Sequence, residues 1–304
     1  MQKSIETQLL DLNQCPVCAG RERKCLFPIP RTAVYECRNC GLRYIDPCLS
    51  PESMQTAYES DETLMNFHSF HEGYYSYGNL ATESKTLKDF RTTLAKLEQL
   101  IPEMSDGRRI FDVGFGNGFF LAVAKQRGWH VHGSDTSPKN LELAREKFAL
   151  ELTCTDFEGY DSCGMTYDAV SFWDLIEHLP NPHKVLKKAG QILKPNGYVL
   201  VGIPNDQSLL QILASTLYHM SFGKLKKGIK TIYFLEHVAY YNLKTLTELF
   251  RLNDFILRDY FLSSTDLAKY SLTSTDRLIA SIILFFGKLT GLENRLVAIF
   301  QKKG

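Results

Sequence analysis

Two Cys-x-x-Cys pairs lie in the first fifty residues: Cys15 with Cys18, and Cys37 with Cys40, separated by 18 residues. Each pair can present two thiolates to one ion, and four thiolates complete the tetrahedral shell that suits Zn²⁺. Four thiolates leave no open coordination position, so the spacing predicts a structural zinc site and not a catalytic one. The alternative interpretation is four free core cysteines. The remaining cysteines lack such pairing and are interpreted as small apolar residues: Cys25, Cys48, Cys154 and Cys163.

A second group of residues follows the apolar stretch that ends at Val113: a turn with glycine at positions 114, 116 and 118. Glycines in such a turn let the backbone approach a nucleotide closely. Asp135 lies 23 residues beyond Asp112, after a further apolar stretch, and an acid there can accept hydrogen bonds from both ribose hydroxyls. The pattern predicts a nucleotide-type cofactor, and the alternative is a simple strand-to-helix turn.

Two cofactors fit such a turn in principle. A dinucleotide site expects a further glycine at the position of Phe119, and this sequence lacks it. The Asp112 carboxylate beside the turn would repel a pyrophosphate but would attract the sulfonium and ammonium groups of S-adenosylmethionine. Charge therefore favours S-adenosylmethionine over NAD.

Candidates for proton transfer stand in two later segments. Asp174, Glu177 and His178 follow a predicted strand, and His237 follows Glu236. Removing a proton from a hydroxyl acceptor requires a histidine or a carboxylate within reach, so the candidate catalytic residues are Asp174, His178 and His237. Two alternatives stay open: each histidine can be a structural hydrogen-bonding residue, or Asp174 and Glu177 can share a divalent cation.

Short apolar runs alternate with helical patterns from Arg108 onward, which predicts an α/β fold with helices on both faces of a mostly parallel sheet. Ligands bind such a doubly wound sheet at the carboxyl ends of its strands, where the residues named above fall. The predicted strands are 109–113, 129–134, 152–155, 167–172, 197–203, 255–261 and 295–300, and the predicted helices are 86–101, 118–127, 138–148 and 183–193.

Composition divides the chain into a cysteine-rich module at 1–50, a helical linker or lid at 51–104, and an α/β domain at 105–304. An insertion at 206–235 carries an apolar stretch and four lysines. It is expected to cap the acceptor pocket or to meet an anionic acceptor or lipid, and the alternative is a solvated loop. The run from Leu278 to Phe286 predicts a buried helix, with membrane-surface docking as the alternative. Three tyrosines can form a lid over the cofactor or pack on the domain: Tyr74, Tyr75 and Tyr77.

Overall composition narrows the class of partner. The chain has 304 residues, 44 % of them hydrophobic, so wholesale disorder is excluded. The formal net charge is +1, which disfavours a nucleic-acid partner. The N-terminus lacks the apolar segment of a secretory signal, and the longest apolar run is too short to span a bilayer. We therefore expect a cytoplasmic protein with a small-molecule acceptor; peripheral membrane contact stays open, and the oligomeric state is not predicted.

Residues 111–148 and 166–205 resemble the motifs of class I S-adenosylmethionine-dependent methyltransferases, the second block those of the ubiquinone-biosynthesis-like O-methyltransferases. Residues 1–50 look like the zinc-ribbon extension that some members carry. Phe115 departs from the small residue or cysteine usual in the family. The resemblance implies a seven-stranded Rossmann-like methyltransferase fold, and methyl transfer to oxygen of a sugar, a quinone or phenol, or a natural-product or surface-polysaccharide precursor.

The resemblance also implies roles for particular residues. Asp112 and the three glycines would hold the methionine side of the cofactor, and Asp135 the ribose. Asp156 would meet the adenine amino group, with Phe157 beside the ring. Trp173 and Asp174 would line the methionine and the acceptor. The alternatives are an rRNA base methyltransferase with a zinc module and a non-catalytic zinc-ribbon adaptor.

Overall fold

The structure is a computed structural model that describes residues 8–29, 31–59, 84–101, 107–267 and 272–304. Its strands are β1 (Leu9–Leu10), β2 (Arg23–Ile29), β3 (Thr32–Cys37), β4 (Arg43–Asp46), β5 (Cys48–Leu49), β6 (Arg109–Val113), β7 (His130–Asp135), β8 (Thr153–Cys154), β9 (Tyr167–Trp173), β10 (Leu193–Pro204), β11 (Ala239–Tyr240), β12 (Phe255–Ser263) and β13 (Arg295–Lys302). Its helices are α1 (Pro51–Glu59), α2 (Lys85–Leu100), α3 (Phe119–Gln126), α4 (Pro138–Phe148), α5 (Pro182–Ile192), α6 (Leu209–Met220), α7 (Lys227–Ile232), α8 (Leu243–Arg251) and α9 (Ser274–Thr290).

The main sheet has seven strands in the order β12-β13-β10-β9-β6-β7-β8. The strands from β10 to β8 in that order are parallel, and β13 runs antiparallel to both of its neighbours. The central strand β9 is buried along almost its whole length, as parallel strands covered on both faces are. The predicted mostly parallel seven-stranded α/β fold is confirmed, and each predicted strand and helix is present with shifts at the ends.

The parallel strands bring their carboxyl ends to one edge of the sheet. β6 ends at Val113, β7 at Asp135, β9 at Trp173 and β10 at Pro204. Helix α2, which Ser84 caps at the Leu87 amide, buries an apolar stripe that includes Phe90 and Leu94. This edge therefore carries the segments on which cofactor contacts were predicted.

The cysteine-rich segment is built into the rest of the chain. Strands β2, β3 and β4 form an antiparallel sheet, and β11, from residues 239–240, adds a fourth strand to it. Arg43 of β4 lies 3.4 Å from the buried Asp206 carboxylate and donates to the Tyr233 hydroxyl at 3.1 Å. Cys15 and Tyr44 belong to the same apolar cluster as Leu246 of α8. The boundary at residue 50 stays a prediction, and Tyr74, Tyr75 and Tyr77 lie outside the described residues.

The insertion folds into α6 and α7, and the run from Leu278 to Phe286 lies on α9. The expectation that this run is buried was wrong: the Leu278 and Phe285 side chains are 62 % and 59 % exposed. The reason is that α9 packs through a narrow strip around Leu284 and Gly287, and its other sides face outward. In the described ranges no helix combines the length and apolar character needed to cross a bilayer.

Candidate active site

The glycine turn after β6 has a backbone that only glycine adopts without strain. Gly114, Gly116 and Gly118 have φ of +67°, +54° and +78°. A Cβ on Gly118 would lie 2.9 Å from the Ala144 Cβ, so this glycine lets the turn pack closely on α4. A Cβ on Gly116 would meet nothing within 4 Å, so the Cα of this glycine borders open space. The turn can therefore present backbone to a ligand.

Asp135, the last residue of β7, is tied to this turn. Its Oδ2 accepts a hydrogen bond from the Gly116 amide at 2.9 Å. Its Oδ1 accepts from the Ser137 amide at 2.9 Å and from the Asn140 side chain at 3.2 Å. Burial raises the pKa of Asp135, and the three hydrogen bonds oppose that rise. The carboxylate is thus held at the mouth of the turn in a fixed orientation.

Asp112 lies beneath the turn and is 2 % exposed. Its Oδ1 accepts a hydrogen bond from the Ser171 hydroxyl at 2.6 Å. Burial raises the pKa of Asp112 to about 8; the hydrogen bond from Ser171 opposes the rise, and the Asp135 charge adds to it. A cationic ligand beside this carboxyl would favour its charged form, because an opposite charge stabilises a carboxylate.

The residues predicted to meet adenine follow β8. Asp156 is exposed, and its Oδ1 accepts a hydrogen bond from the Gly159 amide at 2.7 Å, which closes a local turn. Phe157 is buried, with its ring centroid 5.5 Å from that of Phe111 and 6.3 Å from that of Phe172. Phe157 therefore lies in the core at this edge, and Asp156 lies beside it on the surface.

Trp173 and Asp174, at the end of β9, are held by residues from distant segments. The Trp173 ring lies 4.6 Å from Phe90 and 5.1 Å from Phe120, centroid to centroid. A Cβ on Gly202 would lie 2.3 Å from Trp173 Cε3, so the indole covers bare backbone of β10. The Asp174 carboxylate receives two hydrogen bonds from the Arg295 guanidinium, at 2.8 and 3.2 Å. This bidentate ion pair holds the Asp174 carboxylate in a fixed orientation.

The two candidate catalytic histidines, His178 and His237, contact each other through their rings. Their ring centroids are 4.6 Å apart, with His178 on a short turn after β9 and His237 after α7. His178 Nδ1–H donates to the Glu236 carbonyl oxygen at 2.7 Å, so Nε2 is the proton-accepting atom of the neutral ring. Glu177 is 2 % exposed, and its carboxylate oxygens have no hydrogen-bond partner among the described residues.

These three side chains form a compact polar cluster. One ligand atom from each of Glu177, His178 and His237 lies within 4.8 Å of the others. Burial, together with the Asp174 charge, raises the pKa of Glu177 well above its ordinary value. The arrangement can accept a proton, and its donors could also hold a divalent cation. The sequence left open that Asp174 and Glu177 share a divalent cation. Such a cation would have to compete with Arg295 for the Asp174 carboxylate.

The four cysteines of the pairs converge on one point. Cys15 Sγ lies 3.6 Å from Cys40 Sγ, and Cys18 Sγ lies 3.5 Å from Cys37 Sγ. Zinc–sulfur bonds of about 2.3 Å in a tetrahedron place sulfur atoms about 3.8 Å apart. The four sulfur atoms lie within 4.8 Å of one another, so the donor set and its spacing fit Zn²⁺.

A sequence profile of the family described as "Methyltransferase domain" matches residues 86–259. The match covers 174 of the 304 residues. The chain belongs to this family. The predicted membership of the methyltransferase family is therefore confirmed.

Curated relatives and solved structures agree with this assignment. The chain is similar to the ubiquinone biosynthesis O-methyltransferase from Leptothrix cholodnii, with 30 % identity over 39 % of this chain and 53 % of that protein. It is also similar to the ubiquinone biosynthesis O-methyltransferase from Alkalilimnicola ehrlichii, with 35 % identity over 33 % of this chain and 43 % of that protein. It thus spans about half the length of the curated relatives it matches. The plantazolicin methyltransferase BpumL, solved with SAH, has the same fold, with a TM-score of 0.54, 16 % identity and coverage of 83 % of this chain and 95 % of that one.

Two positioning contacts escaped sequence reasoning. Arg295, which binds Asp174, begins β13, and Ser171, which binds Asp112, lies inside β9. The alternation of apolar and polar residues located both strands. It carried no signal for the antiparallel register that places Arg295 opposite Pro204 at the carboxyl edge.

Proposed function

We propose that the protein transfers a methyl group from S-adenosylmethionine to an oxygen atom of a small-molecule acceptor. The observation that carries this proposal is the buried Asp112 carboxyl beneath a glycine turn whose mouth holds a second carboxylate, Asp135. Two acids beside such a turn disfavour a phosphate-bearing nucleotide and suit a cationic one. Membership of the methyltransferase family supports the same cofactor.

Each residue of the turn has a defined task in this proposal. Asp112 faces the positive charges of the methionine part, and Gly116 leaves open space at the mouth. Asp135 accepts the ribose hydroxyls. Three donors already occupy three of the roughly four acceptor sites of this carboxylate. Two ribose hydroxyls would need two sites, so one of them would have to displace an existing donor. Asp156 and Phe157 form the adenine end.

S-adenosylmethionine supplies an electrophilic methyl group on a sulfonium centre when it is bound. The remaining chemistry is to align the acceptor hydroxyl and to remove its proton. His178 is the better placed base, because its Nδ1–H bond to Glu236 leaves Nε2 as the acceptor atom. The His237 ring contacts the His178 ring. His237 either receives the proton that the acceptor hydroxyl loses or orients the acceptor. Asp174, fixed by Arg295, shapes the acceptor side and does not serve as the base.

The zinc assignment is part of the same proposal. We infer that Cys15, Cys18, Cys37 and Cys40 hold one structural Zn²⁺, which the sulfur spacing supports. The ion would order the sheet that β11 completes, and so would fix the segment between Asp206 and Tyr240. The reduced cysteines of such a site agree with the predicted cytoplasmic location.

The acceptor class rests on the relatives. Those named above are called O-methyltransferases of ubiquinone biosynthesis, which supports a phenol or another hydroxyl compound as the acceptor. The net charge of +1 gives no support to an rRNA substrate.

The decisive experiment has two stages. Thermal unfolding with S-adenosylmethionine or NAD comes first: S-adenosylmethionine at a hundredfold excess over its Kd should stabilise the protein by about 2.7 kcal/mol, and NAD should not. Methyl-labelled cofactor with fractionated metabolite extract then identifies the fraction that gains the label. Stabilisation by NAD alone would contradict the cofactor. Cofactor binding without transfer to any fraction would favour a non-catalytic role, and label found only in RNA would contradict the acceptor class.

A further inference from the structure

Helix α9 has an apolar outward face. Six large apolar side chains recur at helical spacing on the side opposite the buried Leu284 and Gly287, and all six are exposed. The helix has three charged residues, Asp276, Arg277 and Lys288, and none of them falls on this face. A surface helix of a globular protein ordinarily turns charged or polar residues outward, so α9 shows the reverse pattern. The six residues are Leu278, Ile279, Ile282, Phe285, Phe286 and Leu289.

Helix α6 and the loop after it, which neighbour α9, carry further exposed apolar residues. Gly287 of α9 packs against Leu209 of α6, so the two helices are neighbours. The loop that follows α6 holds Phe222, whose side chain is 94 % exposed. We define the apolar face as the six residues of α9 together with the exposed large apolar residues of this part, which are Ile212, Leu213, Leu217, Met220, Phe222 and Leu225.

Positive charge borders the apolar face. Residues 207–235 contain four lysines and no aspartate or glutamate. All four lysines are exposed, and Lys227 lies 3.9 Å from Asp276 in the first turn of α9, which places the lysine segment beside that helix. Helix α7 also packs on α6, with Gly228 against Ala214. The other three lysines are Lys224, Lys226 and Lys230.

We propose that the apolar face docks the protein onto the surface of an anionic lipid bilayer. Exposed leucine, isoleucine and phenylalanine side chains enter the boundary between headgroups and acyl chains, and bordering lysines bind anionic headgroups. Clusters of exposed large apolar side chains mark interaction sites on soluble proteins. A second copy of the chain fits less well, because a symmetric interface here would bring two lysine segments together. The proposal does not depend on methyl transfer.

Vesicle flotation with the full chain tests this inference. Vesicles of phosphatidylcholine alone are compared with vesicles that also contain phosphatidylglycerol. We expect binding that prefers the anionic vesicles and weakens as salt rises, since salt screens exposed charges. Phe285→Ser with Leu289→Ser should lower the partition coefficient about tenfold or more on both vesicles. Lys224→Ala, Lys226→Ala and Lys230→Ala together should lower it about 100-fold on anionic vesicles only.

Matched controls separate docking from general surface changes. Leu252→Ser removes an exposed leucine elsewhere, and Lys147→Ala with Lys187→Ala removes exposed lysines elsewhere. Both should bind as the wild type does, and every variant should keep the wild-type Tm. No binding, or equal binding by wild type and the α9 variant, would overturn the proposal. So would a dimer in vesicle-free solution that Phe285→Ser with Leu289→Ser converts to a monomer, because the face would then join two copies.

Discussion

His178 and His237 lie in contact, with ring centroids 4.6 Å apart, although one follows the strand β9 and the other follows the insertion. The carbonyl of Glu236, the neighbour of His237, fixes the tautomer of His178 through Nδ1. The segment that directly follows the insertion thus contributes to the place where an acceptor would lose its proton.

Replacing His178 by Ala should lower kcat for a hydroxyl acceptor about 10²–10⁴-fold, the usual contribution of a general base. The stabilisation of the protein by S-adenosylmethionine should hardly change, because His178 is not part of the glycine turn. Steady-state kinetics and thermal shifts measure the two effects. His237→Ala, assayed in parallel, should reduce the rate less if it only orients the acceptor. Wild-type turnover in both variants would mean that alignment alone drives the reaction.

Replacing Asp135 by Asn should raise the Kd for S-adenosylmethionine about 10- to 100-fold, because hydrogen bonds to a charged acceptor contribute more than neutral ones. Calorimetric titration measures the change. Asp168→Asn is the matched control, since Asp168 is another buried acid of the sheet but accepts from the Arg109 amide at the opposite edge. Equal weakening in both variants would show a general loss of stability and would argue against a ribose contact.

Replacing Asp112 by Asn should alter how stability depends on pH. Its folded pKa of about 8 exceeds the ordinary value of 3.8, so the stability that this group contributes is complete at low pH and is lost as pH rises through about 8. The substituted amide does not titrate and can still accept from Ser171. The variant should therefore gain stability relative to wild type from pH 5 to pH 9, by an amount on the order of a few kcal/mol at the upper end. Urea unfolding at several pH values measures this, and parallel curves would disprove it.

Replacing Cys37 by Ser should remove the zinc and loosen the sheet that β11 completes. Metal analysis should give about one zinc per chain for the wild type and none for the variant. Limited proteolysis should then cut residues 8–50 faster. Cys25→Ser is the matched control, because Cys25 is exposed and lies outside the cluster. A zinc-free wild type protected over the same residues would contradict the site.

Replacing Gly202 by Ala should destabilise the protein by about 1–3 kcal/mol or more, because the new Cβ would lie 2.3 Å from the Trp173 ring and would force it to move. Denaturant unfolding measures the loss, and Trp173 fluorescence reports the displacement. Gly190→Ala, in α5, is the control: its Cβ would meet only Phe255 at 3.8 Å, and alanine favours a helix. That variant should be as stable as wild type or more so.

Local patterns in the sequence were enough to predict most of the fold. Strands, helices and the glycine turn depend on periodicity and on backbone conformations that neighbouring residues control. Asp112, Asp135 and the four cysteines could be proposed for the same reason, because their spacing within short segments matches the chemistry. The roles assigned to the site residues, including Asp156, Phe157 and Trp173, stay predictions.

The tertiary structure decided which distant groups meet. Arg295 binds Asp174 because β13 inserts antiparallel between β12 and β10, and no local pattern encodes that register. The two histidines meet because the chain returns through β11 to the cysteine-rich sheet. The apolar run on α9 matched a core helix by composition, yet its side chains face outward. Burial depends on what packs against a helix, and the sequence of the helix alone does not contain that information.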